Sequence, residues 1–463
     1  MKKTILNILC TITGLIGFGQ EIDVLPFSEY LGYVKKYHPI VKQANLVISE
    51  SEAQLLKARG AFDPKLEVDY DSKKFKNTAY FNKLNTTFKI PTWYGVALKG
   101  NFEQNSGAFL NPEAKVPIES LYNVGISVSL ARGLLINERM ATLNQAKLFE
   151  KQAKAENQLV VNDILFLASK SYFDWLKTYQ EKKVYEKFLD NAKIRFKGLK
   201  RSYQLGEKPA IDTIEARIVL NNRELNLEKA KLNYIKASLE LSNFLWINDV
   251  PIEVQTNIIP DTKIKNYIDD ALQINSIVLD LVNHPKLLSL DFKYKGLEVE
   301  RRLKQNNLLP KIDLQYNFLN ETPEMINSFN TENYKAGLAI SFPLFLRKER
   351  AELKLTDYKL QSVDFEKQAT SIALKNKINS VLQEINSYQN QIVIADNMVS
   401  DYAILLKSEE RKFEIGESSL FLINSRESKL IENNLKVIEL ENLLLKSKGK
   451  FFNTLGIENL KNE

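Results

Sequence analysis

The sequence is almost without cysteine. Of its 463 residues only Cys10 is one, and it lies inside an apolar run near the N-terminus. Beyond that run the chain offers no disulfide, no thiolate nucleophile and no thiolate metal site. Histidine is nearly as scarce: His38 and His284 each stand directly before a proline. A metal pair would require them to converge with no helpful ligand spacing nearby, so both read as helix-break residues, with no metal and no cofactor expected. No Gly-rich phosphate loop and no nucleophile elbow appears, and the chain is read as not an enzyme. After the N-terminal run no stretch of about 18 consecutive apolar residues follows, so no transmembrane helix is expected. Charge of one sign is also missing: 64 Lys and Arg balance 57 Asp and Glu, for a net +7. The two signs are interspersed along helical stretches, where nucleic-acid binding would want a basic stripe.

The N-terminus reads as a signal peptide over residues 1–19. Lys2 and Lys3 precede the apolar run Ile5 to Phe18, and Gly17 and Gly19 sit before Gln20-Glu21. The run is shorter than a bilayer-spanning helix needs. Cys10 comes too early to accept a lipid after cleavage, so no lipid anchor is expected. An exported chain without a later transmembrane helix is either soluble outside the inner membrane or crosses a membrane as a β-barrel.

What the sequence does have is itself, twice. Tyr37-His38-Pro39 is echoed by Asn283-His284-Pro285, and at the same displacement Asp63-Pro64-Lys65-Leu66 by Leu309-Pro310-Lys311-Ile312. Tyr122-Asn123-Val124-Gly125-Ile126-Ser127 returns as Tyr334-Lys335-Ala336-Gly337-Leu338-Ala339. Tyr203-Gln204-Leu205-Gly206-Glu207 returns as Phe413-Glu414-Ile415-Gly416-Glu417. The domain reading is therefore a first repeat over 20–247, a linker over 248–264 with Pro251 and Pro260, a second repeat over 265–457 and a short tail over 458–463.

Within each copy the period changes. Residues 26–58 carry a helical pattern broken at His38-Pro39. Leu66, Val68 and Tyr70 then alternate with Glu67, Asp69 and Asp71, as Ile312, Leu314, Tyr316 and Phe318 do with Asp313, Gln315 and Asn317. These are strands with one apolar and one polar face. Strands are expected at about 65–71, 83–104 (a hairpin) and 121–130 in the first copy, and at about 311–318 and 334–342 in the second. In the return strands large apolar residues fall on one face and Gly, Ser and Ala on the other, as in a lipid-facing barrel wall; a sandwich strand is the alternative. Long helices are expected over 137–205 and 348–415. The first has no proline and a 3/4 rhythm through Leu165, Ala168, Tyr172, Trp175 and Tyr179. At ~1.5 Å per residue each would be on the order of 100 Å long, which implies coiled-coil packing. Returning helices follow Gly206 and Gly416. The fold class is α+β, mainly α, built from a duplicated helix-strand-strand-long helix-helix unit.

That order, duplicated behind a signal peptide, resembles the TolC family of outer-membrane efflux channels over essentially the whole mature chain. Ser341-Phe342-Pro343-Leu344-Phe345 is similar to the Pro-Leu-Phe that closes the family's second strand, and Tyr203-x-x-Gly206 with Asp212 and Ala216-Arg217 is similar to its tip. The resemblance implies a homotrimer. Its strands would form one transmembrane β-barrel in outer-membrane lipid, and its helices one long periplasmic α-helical barrel. It also implies partners: a periplasmic adaptor (membrane fusion protein) and an inner-membrane pump of RND, ABC or MFS type. Two departures stand out. More than twice as much chain separates Pro64 from Tyr122 as separates Pro310 from Tyr334; the excess reads as a hairpin that either widens the barrel or lies outside it. And Leu130-Ala131-Arg132-Gly133 replaces Phe342-Pro343-Leu344, which implies a differently built strand-to-helix joint.

On the same resemblance Leu205, Gly206, Ile415 and Gly416 would touch the adaptor; a simple C-cap role is compatible with that. The family's aspartate ring after the second tip falls here at about Leu422 and Ser425 and is absent. Asp212 retains the acid after the first tip, with Glu215 further along, and three-fold symmetry would make Asp212 a ring of three carboxylates favouring cations. A solvated acid at a helix start after Pro209 is the alternative. The tyrosine and arginine that hold the family's closed state correspond to Phe413 and Ser418, so a resting gate packed by Phe413, Leu420 and Phe421 is expected. Two rivals remain open at this stage. One is an exported coiled-coil scaffold or adhesin without channel activity, which has no need of amphipathic strands placed twice between helices. The other is a periplasmic adaptor, which would carry one hairpin flanked by lipoyl-like segments.

Overall fold

The computed structural model of the chain describes residues 23–117, 119–272, 281–323 and 330–456. The expected signal peptide with Cys10, and the tail 458–463, lie outside the described residues.

Two helical hairpins dominate. α3 (Glu138–Gln204, 67 residues) turns back as α4 (Ala210–Ser242), and α7 (Arg347–Glu414, 68 residues) turns back as α8 (Leu420–Leu455). Shorter helices flank them: α1 (Phe27–Tyr37), α2 (Pro39–Arg59), α5 (Ile268–Ala271) and α6 (Pro285–Asn306). The His-Pro pairs start α2 and α6 in the same way. Proline takes the first helical position, where a missing N–H costs nothing. The histidine Nδ1 before it accepts from a backbone amide, Ile40 at 3.3 Å after His38 and Lys286 at 3.1 Å after His284. With Nδ1 accepting, His284 Nε2 donates to the carbonyl of Thr454 at 3.1 Å. Burial lowers the pKa of both histidines, since imidazolium would lose its hydration there.

The main core forms a belt partway along the hairpins. Phe27, Tyr30, Leu31 and Val34 of α1 pack on Leu165, Ala168, Tyr172, Phe173 and Trp175 of α3, all nearly inaccessible to solvent. Burying each of the larger side chains contributes about 1.5–3 kcal/mol. Tyr172 ties three segments: its hydroxyl donates to the Leu25 carbonyl at 2.6 Å and accepts from the Asp261 amide at 3.0 Å. The stretch between the copies is more structured than a linker. β6 (Trp246–Ile247) pairs with β7 (Val250–Pro251), and β8 (Ile258–Pro260) runs parallel to the N-terminal β1 (Asp23–Leu25).

At one end lies a six-stranded antiparallel sheet of order β10-β9-β5-β4-β3-β2. The first copy contributes β2 (Lys65–Phe75), β3 (Thr78–Pro91), β4 (Val96–Ser106) and β5 (Leu121–Ser129). The second contributes β9 (Lys311–Asn320) and β10 (Tyr334–Ser341). The expected excess hairpin is thus two full strands, and the strand before it runs on to Phe75. That strand turns into β3 through Lys76 and Asn77, both at positive φ. Such a two-residue turn suits the twist of a hairpin, but no glycine marks it in the sequence.

Candidate functional site

Each face of the sheet has one character. Leu66 lies opposite Phe88, Phe88 opposite Gly100, Gly100 opposite Val124, Val124 opposite Phe318 and Phe318 opposite Tyr334, a single row across all six strands. Because side chains alternate with a period of two, the even-numbered residues share that face up to the irregularity after Lys73 of β2, among them Val68, Ile90, Leu98, Ile126, Leu314, Leu338 and Ile340. Many stand open to solvent, Leu66 at 66% and Ile340 at 65%. Aromatic residues edge this face. Tyr70, Phe102, Tyr122, Phe318 and Tyr334 gather toward the loop end, and exposed Tyr94, Phe342 and Phe345 mark the helix end.

The odd-numbered face is polar. Asn101 donates to Asn85 at 2.5 Å and to Thr87 at 2.8 Å, Asn123 donates to Asn101 at 3.2 Å, and Ser129 donates to Asp313 at 2.8 Å. Lys335 on β10 reaches Glu103 on β4 at 3.9 Å, across the two strands between them, which requires the polar face to be the concave one.

At the far end of the hairpins the two tips are built alike. Glu207 N–H donates to Ser202 O at 2.9 Å and Gly206 N–H to Tyr203 O at 3.0 Å; Glu417 donates to Lys412 at 2.8 Å and Gly416 to Phe413 at 3.2 Å. This paired bonding closes a helix on a left-handed residue, and Gly206 (φ 76°) and Gly416 (φ 79°) supply it. Leu205 and Ile415 stand 65% and 70% exposed beside them.

Behind the tips the two hairpins are locked together. Phe413 and Leu420 join Phe196, Leu199 and Ala216 in one apolar cluster, and Lys208 of the first tip lies 4.7 Å from the centre of the Phe413 ring. Phe421 does not join the packing. It is 68% exposed within the protomer, because a step of one residue turns a side chain about 100° around the helix from buried Leu420. Ser418 donates to Glu409 at 2.6 Å. Asp212 sits half-exposed in the first turn of α4, whereas Glu215 is turned toward α8 and accepts from Asn424 at 2.9 Å. The two acids therefore differ in surroundings.

Beside the apolar cluster of Phe413 and Leu420 lies an ionic one. Glu427 of α8, fully buried, accepts a two-pronged contact from Arg195 of α3 at 3.0 and 3.3 Å and a third from Arg223 of α4 at 3.3 Å. A bidentate guanidinium–carboxylate pair fixes orientation as well as distance. One carboxylate thus ties both helices of the first hairpin to the second. The signal for it was present: Arg223 falls in line with Ala216, Ala230 and Ala237 at steps of seven, and Glu427 falls between Ile423 and Leu430. A charge in an apolar seam announces a partner.

α4 carries a second heptad line, nearly opposite the first. Ile211, Ile218, Leu225, Leu232 and Leu239 recur at steps of seven, each at least half exposed. A sustained stripe of this period is a coiled-coil seam, and within the protomer it is open.

No protein-family model matches the chain, and no curated protein matches it. Solved structures do. The CmeC outer membrane channel of Campylobacter jejuni is similar over 94% of this chain and 87% of its own, at 14% identity and a TM-score of 0.64. The chain has the fold of the TolC-like outer-membrane channels. VceC of Vibrio cholerae, an outer membrane protein, is similar over 93% of this chain and 96% of its own (13% identity, TM-score 0.64). The open-state MtrE outer membrane channel of Neisseria gonorrhoeae is similar over 93% and 89% (11% identity, TM-score 0.63). At such identities it is the TolC-like fold that is shared, and the site residues above belong to this chain.

Proposed function

We propose that the protein is a homotrimeric exit duct of the outer membrane, handing cargo from a periplasmic adaptor and an inner-membrane pump to the outside without chemistry of its own. The observation that carries this reading is the two-faced sheet. An apolar convex face edged by aromatic residues suits lipid, and a polar concave face suits a water-filled lumen. The strands run from 8 to 14 residues, around the roughly 9–11 needed to cross a bilayer at a tilt. The open Ile211–Leu239 seam supports assembly with further copies of this chain, because an exposed heptad stripe of that length is costly to leave in water. The exposed Leu205-Gly206 and Ile415-Gly416 tips are the surfaces offered to the adaptor. Asp212 and the Arg195–Glu427–Arg223 cluster lie at the entrance, where conduction would be regulated.

Membrane fractionation tests this reading against the scaffold alternative. A duct requires detergent for extraction and gives a heat-modifiable trimer band from the outer-membrane fraction. Release of a monomer by salt alone would refute it. Asp212→Asn is expected to weaken blockade by multivalent cations in planar bilayers; unchanged blockade would remove Asp212 from the lumen.

A further inference from the structure

Resting on the trimeric duct reading, we propose that its wall is closed by eighteen strands. Each of three copies gives six, and the free edge of β2 in one copy pairs antiparallel with the free edge of β10 in the next. Six strands are too few to close, since membrane barrels start at about eight. An unpaired strand edge is not tolerated in lipid, where no water satisfies its N–H and C=O groups. β2 and β10 are the two edges of the sheet. Because six is even and every neighbour is antiparallel, β2 and β10 run in opposite directions. A second copy therefore joins without reversing the pattern. Pairing even-numbered residues with even-numbered ones keeps the apolar face continuous across the seam. The polar faces match in kind: β2 presents Lys65, Glu67, Asp69, Asp71 and Lys73 there, and β10 presents Lys335, Ala339 and Ser341.

The number eighteen depends on β3 and β4 belonging to the wall, and two observations hold them in it. They lie between β2 and β5, in register with both, and carry the same apolar row. Their helix-side turn is also built into the joint below. Asn137, whose Oδ1 caps α3 at Met140 (3.0 Å), donates through Nδ2 to the Trp93 carbonyl at 2.9 Å. The Trp93 ring stacks on Phe62 at 5.5 Å. Gly95 approaches Gly133 so closely that a Cβ would lie 2.4 Å from its carbonyl oxygen. The Leu130–Gly133 segment, which replaces the second copy's Phe-Pro-Leu, is the floor on which this extra hairpin rests.

Had the first copy supplied only two strands, as the second does, three chains would give twelve. Barrel diameter grows roughly linearly with strand number, so eighteen strands make a bore about half again as wide and about twofold larger in cross-section. The helical hairpins are unchanged, so the duct flares at its outer end.

Cryo-electron microscopy of the full chain in nanodiscs counts the strands directly. A trimer with eighteen is expected. A trimer with twelve and β3–β4 outside the wall overturns this inference and leaves the duct intact; a soluble monomer overturns both. The seam has its own test in a chain with Cys10→Ser. Ala339→Cys combined in turn with Glu67→Cys, Asp69→Cys and Asp71→Cys is expected to give covalent dimers and trimers on oxidation in at least one pairing. No ladder in any of the three overturns the β2–β10 seam.

Discussion

The two copies of the repeat agree in their helices and part company in their strands. α3 and α7 differ by one residue in length, and their tips close with the same paired hydrogen bonds on a glycine at nearly the same φ. Yet among the described residues one copy gives the six-stranded sheet four strands and the other gives it two. A helical tunnel with one axis demands matched lengths, because a longer hairpin would leave its neighbour's tip uncovered. A barrel demands only that edges meet with the right direction and face, and an inserted hairpin preserves both. In the proposed trimer, identity is held where geometry is shared around the axis, and relaxed where the constraint is parity.

The matched glycines of β5 and β10 offer the sharpest way to break the symmetry between copies. A Cβ on Gly125 would lie 2.2 Å from the Tyr316 carbonyl oxygen and 2.6 Å from Asn317 Cα, whereas one on Gly337 meets nothing within 4 Å. Gly125→Ala should therefore disrupt β5–β9, the seam between the copies, and cut the yield of heat-modifiable trimer severely. Gly337→Ala, open within the protomer and facing only the neighbouring copy's β2 in the trimer, should lower that yield less. Equal effects on trimer yield would refute this assignment.

Next in size is the ionic lock, which exists once although the hairpins are two. Glu427→Ala would leave buried Arg223 with only Ser428, and partly buried Arg195 with Glu410 and Asn424, and is expected to cost about 3 kcal/mol in denaturant unfolding. Arg195→Ala on its own leaves Arg223 beside the carboxylate and should cost less. The tips should respond alike. Gly206→Ala and Gly416→Ala each force a side chain into the left-handed region, at about 1–2 kcal/mol apiece, and nearby space is open at both. A large difference between the two would mean that their surroundings, unlike their backbones, are not equivalent.

The smallest effect is on pH dependence. His38 and His284 both have folded-state pKa values below the ordinary value of 6.5, because burial disfavours imidazolium. The unfolded chain binds protons first as the pH falls. The stability held by the neutral histidines is thus complete above about pH 6.5, declines below it, and levels off once the folded-state pKa is passed. Thermal unfolding between pH 7 and pH 5 should show that decline, and His38→Asn with His284→Asn should flatten it.

Much of this was legible in the residues. The duplication shows in residues that return at matching positions, and the long helices and alternating strands follow from periodicities of 3.6 and 2 that any core or bilayer must impose. The glycine tips follow from one residue's tolerance of positive φ. The open seam of α4 was also there to be read, as five aliphatic residues at steps of seven, and Arg223 and Glu427 stood out as charges in apolar lines. Other features were not legible. The Lys76-Asn77 turn carries no glycine, and the exposure of Phe421 beside buried Leu420 depends on which way the helix faces its neighbour.

The sequence by itself determined what is local and periodic: which stretches are helix or strand, which strand face is apolar, where the chain reverses. Only the tertiary structure decided what those elements meet. It set β3 and β4 inside the sheet, stacked Gly95 against Gly133, and brought Glu427 between two arginines more than 200 residues away along the chain. Periodicity constrains a residue's own neighbours along the backbone, while pairing across the molecule depends on shape and direction that no short window of sequence contains.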